Sequence, residues 1–217
     1  MAAQFESLKK HVLLTNMPFE IEEVRVMREL KIAKAKSLAE IPEKNIAAYI
    51  KKAIDTGYTL IEPKAIYRTY PLVKEEGQPP GFEESPRLFF GKKLAETLNN
   101  CDYATVLMTT IGPGIPDRAD ELIKSEPTDG FYLEHVGGWM ADYFAERVDE
   151  RIQVEMKKNG YIGTFRYAPG YGDWSLDAQP EMMRLTQGER IGVHLTETNI
   201  MIPRKSVSAV IGWQPRE

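Results

Sequence analysis

The chain has 217 residues, a formal net charge of -4 and a pI near 5.6, with 42% hydrophobic and 28% charged residues. This is the balance of a globular chain able to bury a core large enough for a shaped pocket, and it lacks the concentrated basic face that binding nucleic-acid phosphates requires. With one cysteine, Cys101, no internal disulfide, zinc ribbon or iron–sulfur cluster can form from this chain alone, which suits a reducing compartment.

The N-terminal apolar run Val12-Leu13-Leu14 is too short for a secretion signal, and no run approaches a membrane span, so a cytoplasmic location is expected. Helical spacing of Ile21, Val24, Val26 and Met27 predicts a helix over 21–30. Pro42 then opens an amphipathic helix through Asn45, Ala48, Ile50 and Ile54, expected to end at Gly57. A strand is predicted over 65–70, and the segment 75–86, with Gly77, Pro79, Pro80 and Gly81, reads as a loop that could mark a subdomain seam.

A helix over 92–99 leads into the clearest buried strand, 104–111, and Gly112-Pro113-Gly114 turns it into a helix over 115–124. A dinucleotide fingerprint would need a third glycine at Asp117, whose carboxylate repels a pyrophosphate, so the turn is read as a strand-to-helix junction needing small residues. One long helix is predicted over 131–158, since Val136, Met140, Phe144, Val148 and Ile152 recur every fourth residue, with Trp139 and Tyr143 widening the stripe. Gly137-Gly138 inside it cost about 1 kcal/mol each relative to alanine, which points to a close neighbour. Short strands are expected over 163–168, 191–196 and 206–213. Helices early and strands late favour an α+β fold, a mixed or antiparallel twisted sheet flanked by helices, in a single domain over 1–217.

Conventional catalytic signatures are missing. His11, His135 and His194 are scattered, with no pair at metal-ligand spacing. Cys101 has no histidine nearby in sequence, and Ser175 lacks the glycines of a nucleophile elbow. Neither a catalytic side chain nor a metal is expected.

What remains is "RYAPGYGDW", residues 166–174, in which a cation, a Pro-Gly turn and aromatic rings stand together. Arg166 can hold a carboxylate by two parallel hydrogen bonds, the turn can present backbone groups, and Tyr171 and Trp174 offer faces to a cation. Such a cluster is most often a salt bridge at a packed corner; the same cluster would also suit a small zwitterion with a positive centre.

Together with "IGVHLTETNIMIPRKSVSAVIGW" (191–213), this stretch resembles the C-terminal signature of the activation, or reactivation, domain of cobalamin-dependent methionine synthase. "EEVRVMREL" (22–30), "KAIYRTYPL" (64–72), "TTIGPGI" (109–115) and "MADYFAERVDERI" (140–152) are also similar to it. The resemblance implies S-adenosylmethionine binding by an Arg-x-x-x-Gly-Tyr motif, here Arg166, Gly170 and Tyr171, with backbone contacts from Tyr167 and Ala168. It implies an acidic contact for the ligand's amino group at Asp142, in a row with Glu146 and Glu150. Trp174, Glu146, Glu197, Ser206 and Ser208 would stand behind these. It implies further that an N-terminal helical part, about 1–90, precedes a ligand-binding part, about 91–217.

The implied reaction transfers a methyl group from a sulfonium to a reduced cobalt, an in-line displacement needing alignment more than proton transfer. The methyl acceptor would be cobalamin carried by a partner's cobalamin-binding domain, reduced by flavodoxin or a similar donor, with no nucleic acid or membrane involved. The chain is expected to be the short, free-standing form, acting in trans on a methionine synthase and lacking an aromatic ligand contact that fused forms carry further on. Two other readings stay open: a non-catalytic capping module for a corrinoid protein, and a reactivator of another corrinoid methyltransferase.

Overall fold

The computed structural model describes residues 6–15, 17–22, 25–26, 29, 37–85 and 91–216. Its chain order is α1 (Glu6–Lys9), β1 (Val12–Thr15), α2 (Lys44–Leu60), β2 (Lys64–Pro71), α3 (Lys92–Leu98), β3 (Tyr103–Thr110), α4 (Gly114–Ser125), α5 (Pro127–Lys158), β4 (Tyr161–Gly163), α6 (Gln179–Thr186), β5 (His194–Leu195), β6 (Met201–Ile202) and β7 (Ser206–Pro215). Most of the helix expected over 21–30 lies outside the described residues; Arg25, Val26 and Glu29 are helical.

Five strands form one sheet in the order β1-β2-β3-β7-β4, with every neighbouring pair antiparallel, while β5 and β6 form a separate ribbon. The α+β class is thus as expected. The central strand β3 is buried at seven consecutive positions, 104–110, because helices cover both faces of the sheet. On one face Tyr67, Leu107, Ala209, Ile211 and Trp213 meet Val136, Met140, Phe144, Val148 and Ile152 of α5. On the other, Tyr70, Ala104, Val106 and Val210 meet Leu94 and Leu98 of α3 and Met182 and Leu185 of α6.

Gly57 departs from the expectation that it ends a helix. It is buried inside α2, where a Cβ would lie 2.8 Å from the Sδ and Cε atoms of Met140 on α5. Its smallness lets two helices approach, and α2 runs on to Leu60. Gly137 has a related role, since a Cβ there would stand 2.5 Å from Cγ2 of Ile115. The close neighbours of that backbone are Ile115 and the Lys205 stem.

Two of the three late strands are shorter than predicted, while the one expected over 206–213 runs on to Pro215 as β7. The pairing expected over 163–168 stops at Gly163 as a regular strand, after which Thr164 exchanges hydrogen bonds with Gly212 and Tyr167 forms a single bridge to Val210. The stretch expected as strand 191–196 is extended only at His194–Leu195, because Gly188–Ile191 coils into a 3-10 turn that Gly192 ends at a φ of 81°. Of the loop expected over 75–86, residues 75–85 are described; bridges of Val73 with Gly81 and Phe82 with Ser85 pin them, and Phe82 is buried against Tyr70.

Candidate functional site

Beyond Gly163 the regular pairing of β4 with β7 ends; Thr164 and Tyr167 still bond to Gly212 and Val210, and past that bridge no described strand pairs with the outer edge of β7. A groove of about 1150 Å³ opens here, floored by Ser206, Ser208 and Ala209 of β7 and walled by α5 on one side and the 164–171 segment on the other. Antiparallel pairing alternates the direction of backbone groups along a strand. Val210 gives its N–H and C=O to Tyr167, so Ser208 and Ser206, in step with it, turn theirs toward the same edge.

The turn behind the groove is locked by its own hydrogen bonds. The Gly170 N–H donates to the Trp174 carbonyl at 2.8 Å, the Tyr171 N–H to the Ala168 carbonyl at 3.3 Å, and Gly170 takes a φ of 89° that favours glycine. Trp174 is buried in the core beneath the turn, so the expectation that it offers a face to a ligand is corrected: its packing against the α3–α6 side of the sheet consumes that face. Tyr171, by contrast, is 74% exposed and lines the groove, and Phe165 beside Arg166 is 89% exposed.

Arg166 leaves its strand edge toward α5. Its Nε lies 3.6 Å from Oδ2 of Asp149, too long for a hydrogen bond, while its Nη1 is buried with no hydrogen-bond partner among the described residues. An orphaned guanidinium donor is costly. Gln153 Nε2 donates to the other Asp149 oxygen at 3.2 Å. Burial pushes the Asp149 carboxyl above the usual carboxylate range, opposed by the Gln153 hydrogen bond and by the charge of Arg166. Asp142 also lines the groove; although it reaches solvent, the surrounding protein strips enough water to push its carboxyl up, with Arg166 opposing. Glu146 has the opposite environment, held low by a short ion pair to Arg25. A smaller cleft of about 350 Å³, between Arg25 and α5, shares Asp142, Glu146 and Arg166 with the groove.

The structure thus gathers Arg166, Tyr167, Ala168, Tyr171, Asp142, Glu146, Ser206 and Ser208 around one groove, with Gly170 shaping its turn. Tyr167 spends its N–H and C=O on Val210. Glu197 is exposed in the β5–β6 turn and lies apart from the groove lining. Glu150, placed in the acidic row by four-residue spacing, points away and pairs with Arg147. The lining positions of α5 are 142, 146, 149 and 153, a stripe that the 3.6-residue period selects, so Asp149 and Gln153 could have been found from the helix period. Gln179 is nearly fully buried at the groove floor, where Oε1 accepts from the Ser208 hydroxyl at 2.9 Å; no spacing signal marks it.

Cys101 is buried, and burial pushes its thiol up to about 11, far from a thiolate nucleophile. Among the described residues no cluster of three His, Cys, Asp or Glu side chains could hold a metal, and no helix is long and apolar enough to cross a membrane.

An antiparallel sheet with helices on both faces defines the class of fold, and a solved structure of the MetH reactivation domain bound to AdoHcy shares that fold. The TM-score is 0.64 over 96% of this chain and 79% of that one, at 16% sequence identity, so this likeness is one of fold. The family model described as vitamin B12 dependent methionine synthase, activation domain, matches residues 93–217, and the chain belongs to that family. Methionine synthase from Mycobacterium tuberculosis is 30% identical over 145 residues and that from Mycobacterium leprae 29%. Each match covers 57% of this chain and 12% of the relative's length.

Proposed function

We propose that this chain binds S-adenosylmethionine in the Arg166 groove and supports reductive methylation of the cob(II)alamin cofactor of a cobalamin-dependent methionine synthase, acting in trans. The observation that carries the reading is the Arg166 guanidinium, which among the described residues has one donor buried and unsatisfied and its ion-pair partner Asp149 out of hydrogen-bond range. A ligand carboxylate supplies the missing acceptor, and a small rotation of the side chain meets it.

The residues present fit a zwitterionic sulfonium. Arg166 would hold the carboxylate, and Asp142, crowded but open to the groove, would take the ammonium. Tyr171 would lay an aromatic face near the positive sulfur. The locked Ala168–Gly170 turn and the β7 edge would line the adenosyl part. Bound there, S-adenosylmethionine supplies an electrophilic methyl group. The protein's part is to orient it and to keep it in register with an acceptor carried by the partner's cobalamin-binding domain, after one-electron reduction by flavodoxin or a similar donor. Among the described residues every groove-lining one comes from position 97 onward, which supports assigning ligand binding to about 91–217 and a scaffold role to about 1–90, within one domain.

The test is rescue of a methionine synthase that has been oxidised to cobalt(II) and lacks its own activation domain. The 217-residue chain, S-adenosylmethionine and an electron donor should restore turnover only together, with label from the S-adenosyl methyl group reaching the cobalt once per reactivation. An unchanged cobalt(II) spectrum with every corrinoid protein of the same genome sinks the reading. A stable complex without methylation would then favour a capping module, and rescue of a different corrinoid methyltransferase would move the assignment to that partner.

A further inference from the structure

We propose that Asp149 is a displaceable counter-ion of Arg166: it draws the guanidinium toward α5 at the groove wall in the free protein, and the carboxylate of the incoming ligand must compete with it. The inference rests on the proposed use of the groove for a ligand carrying a carboxylate, and it adds a residue that sets which ligands are selected.

Four observations converge. The pair is loose at 3.6 Å, whereas ion pairs that serve as fixed braces in this molecule, such as Lys205 with Glu134 at 2.8 Å, are within hydrogen-bond range. The partners are sheltered, their side chains 26% and 18% exposed, so their attraction is only partly screened. Gln153 fixes one oxygen of Asp149, so the carboxylate stays in place when Arg166 leaves. The Nη1 atom is buried and unsatisfied while the pair is made, so the resting arrangement leaves a donor unused that a departing side chain could satisfy.

The charges around the pair are few. The charges of Glu146 and Glu150 on α5 raise the proton affinity of Asp149, although Glu150 points away from the groove; Arg166, from the 164–171 segment, lowers it. Glu146 is itself neutralised by Arg25. Asp142 lies about two turns from Asp149 toward the helix start, near enough to Arg166 for the two charges to interact. Asp149 is therefore the acid whose negative charge opposes the ligand's carboxylate at short range, while Asp142 is free for the ammonium.

The experiment compares S-adenosylmethionine with its decarboxylated analogue on the wild-type chain and on Asp149→Asn, which keeps the acceptor for Gln153 and removes the charge. The ratio of the two affinities isolates the carboxylate from the other charges of the ligand. That ratio should favour the carboxylated ligand about five-fold more in Asp149→Asn than in wild type, the scale expected for one partly screened charge pair. An unchanged ratio, or one that falls, overturns the proposal and makes Asp149 a residue that orients Arg166 or merely packs.

A second readout needs no variant. The carboxyl carbon resonance of Asp149, titrated by NMR, should shift to higher pH when S-adenosylmethionine saturates the wild-type chain, because the cation that holds it down has been withdrawn. A titration curve that does not move contradicts displacement. If wild type binds neither ligand, the proposed function of the groove falls; if it binds both and the ratio is insensitive to Asp149, only the counter-ion role falls.

Discussion

Among the places where helix α5 meets basic side chains, the Arg204–Lys205 cluster and the Arg166 cluster differ in one respect. Near its start, Arg204 makes two hydrogen bonds of 2.9 Å to Asp120 and a third to Glu134, while Lys205 donates to both the carbonyl and the carboxylate of Glu134 at 2.8 Å. Two turns and more further on, Arg166 faces Asp142, Glu146 and Asp149 without a hydrogen bond to any of them, and one of its nitrogens is stranded. The first cluster stitches the β6–β7 turn to α4 and α5 and is complete in itself. The second has an acceptor missing, and an incomplete cluster beside a groove is the one that calls for a ligand.

Arg166→Ala should separate the two clusters most strongly. If Arg166 supplies the charged contact, binding of S-adenosylmethionine should weaken by roughly 2–4 kcal/mol, with an unchanged circular dichroism spectrum. Unchanged affinity in the folded variant would make the two clusters alike. The complementary change is Lys205→Met, which keeps the buried stem and removes the donor; it should cost roughly 1–3 kcal/mol in denaturant unfolding and leave binding nearly untouched. A loss confined to binding would reverse the roles assigned to the two places. Arg204→Ala, at an exposed pair, should lower the melting temperature less than Lys205→Met does.

The acids provide the mildest test. Asp149 has its folded pKa raised by burial, so its ionisation opposes folding above that pKa and the penalty fades as pH falls toward the unfolded value near 4. Asp149→Asn should therefore gain stability at pH 7 and lose that advantage near pH 4 in thermal melts. Glu146 is depressed by Arg25, so its contribution is present at neutral pH and is lost as pH falls through its folded pKa. Glu146→Gln should accordingly be destabilised at pH 7 and approach wild type in acid. Parallel pH curves for the two variants would contradict the difference in their environments.

The sequence made the long elements legible because their periodicity is a direct image of burial. The stripe from Val136 to Ile152 is fully buried, and the apolar run of β3 is covered on both faces. The Arg166 turn was legible for a different reason, since few structural needs explain so many rigid and charged residues in nine positions. What escaped were features that depend on neighbours distant in sequence. Gly57 reads as a helix end until Met140 and Ile115 are seen against it. Trp174 reads as an exposed ring until α3 and α6 close over it. Gln179 becomes part of the groove only because β7 places Ser208 opposite it. Asp149 was within reach, hidden by counting in fours along a helix whose period is 3.6.

A crystal structure of the chain with S-adenosylhomocysteine would show the ligand and the Arg166 guanidinium together. The carboxylate should accept hydrogen bonds from Arg166 in the groove, with the amino group toward Asp142, the adenosyl part along the Ala168–Gly170 turn and β7, and Arg166 drawn away from Asp149. A groove left vacant at saturating ligand, or a ligand whose carboxylate lies away from Arg166, would contradict it.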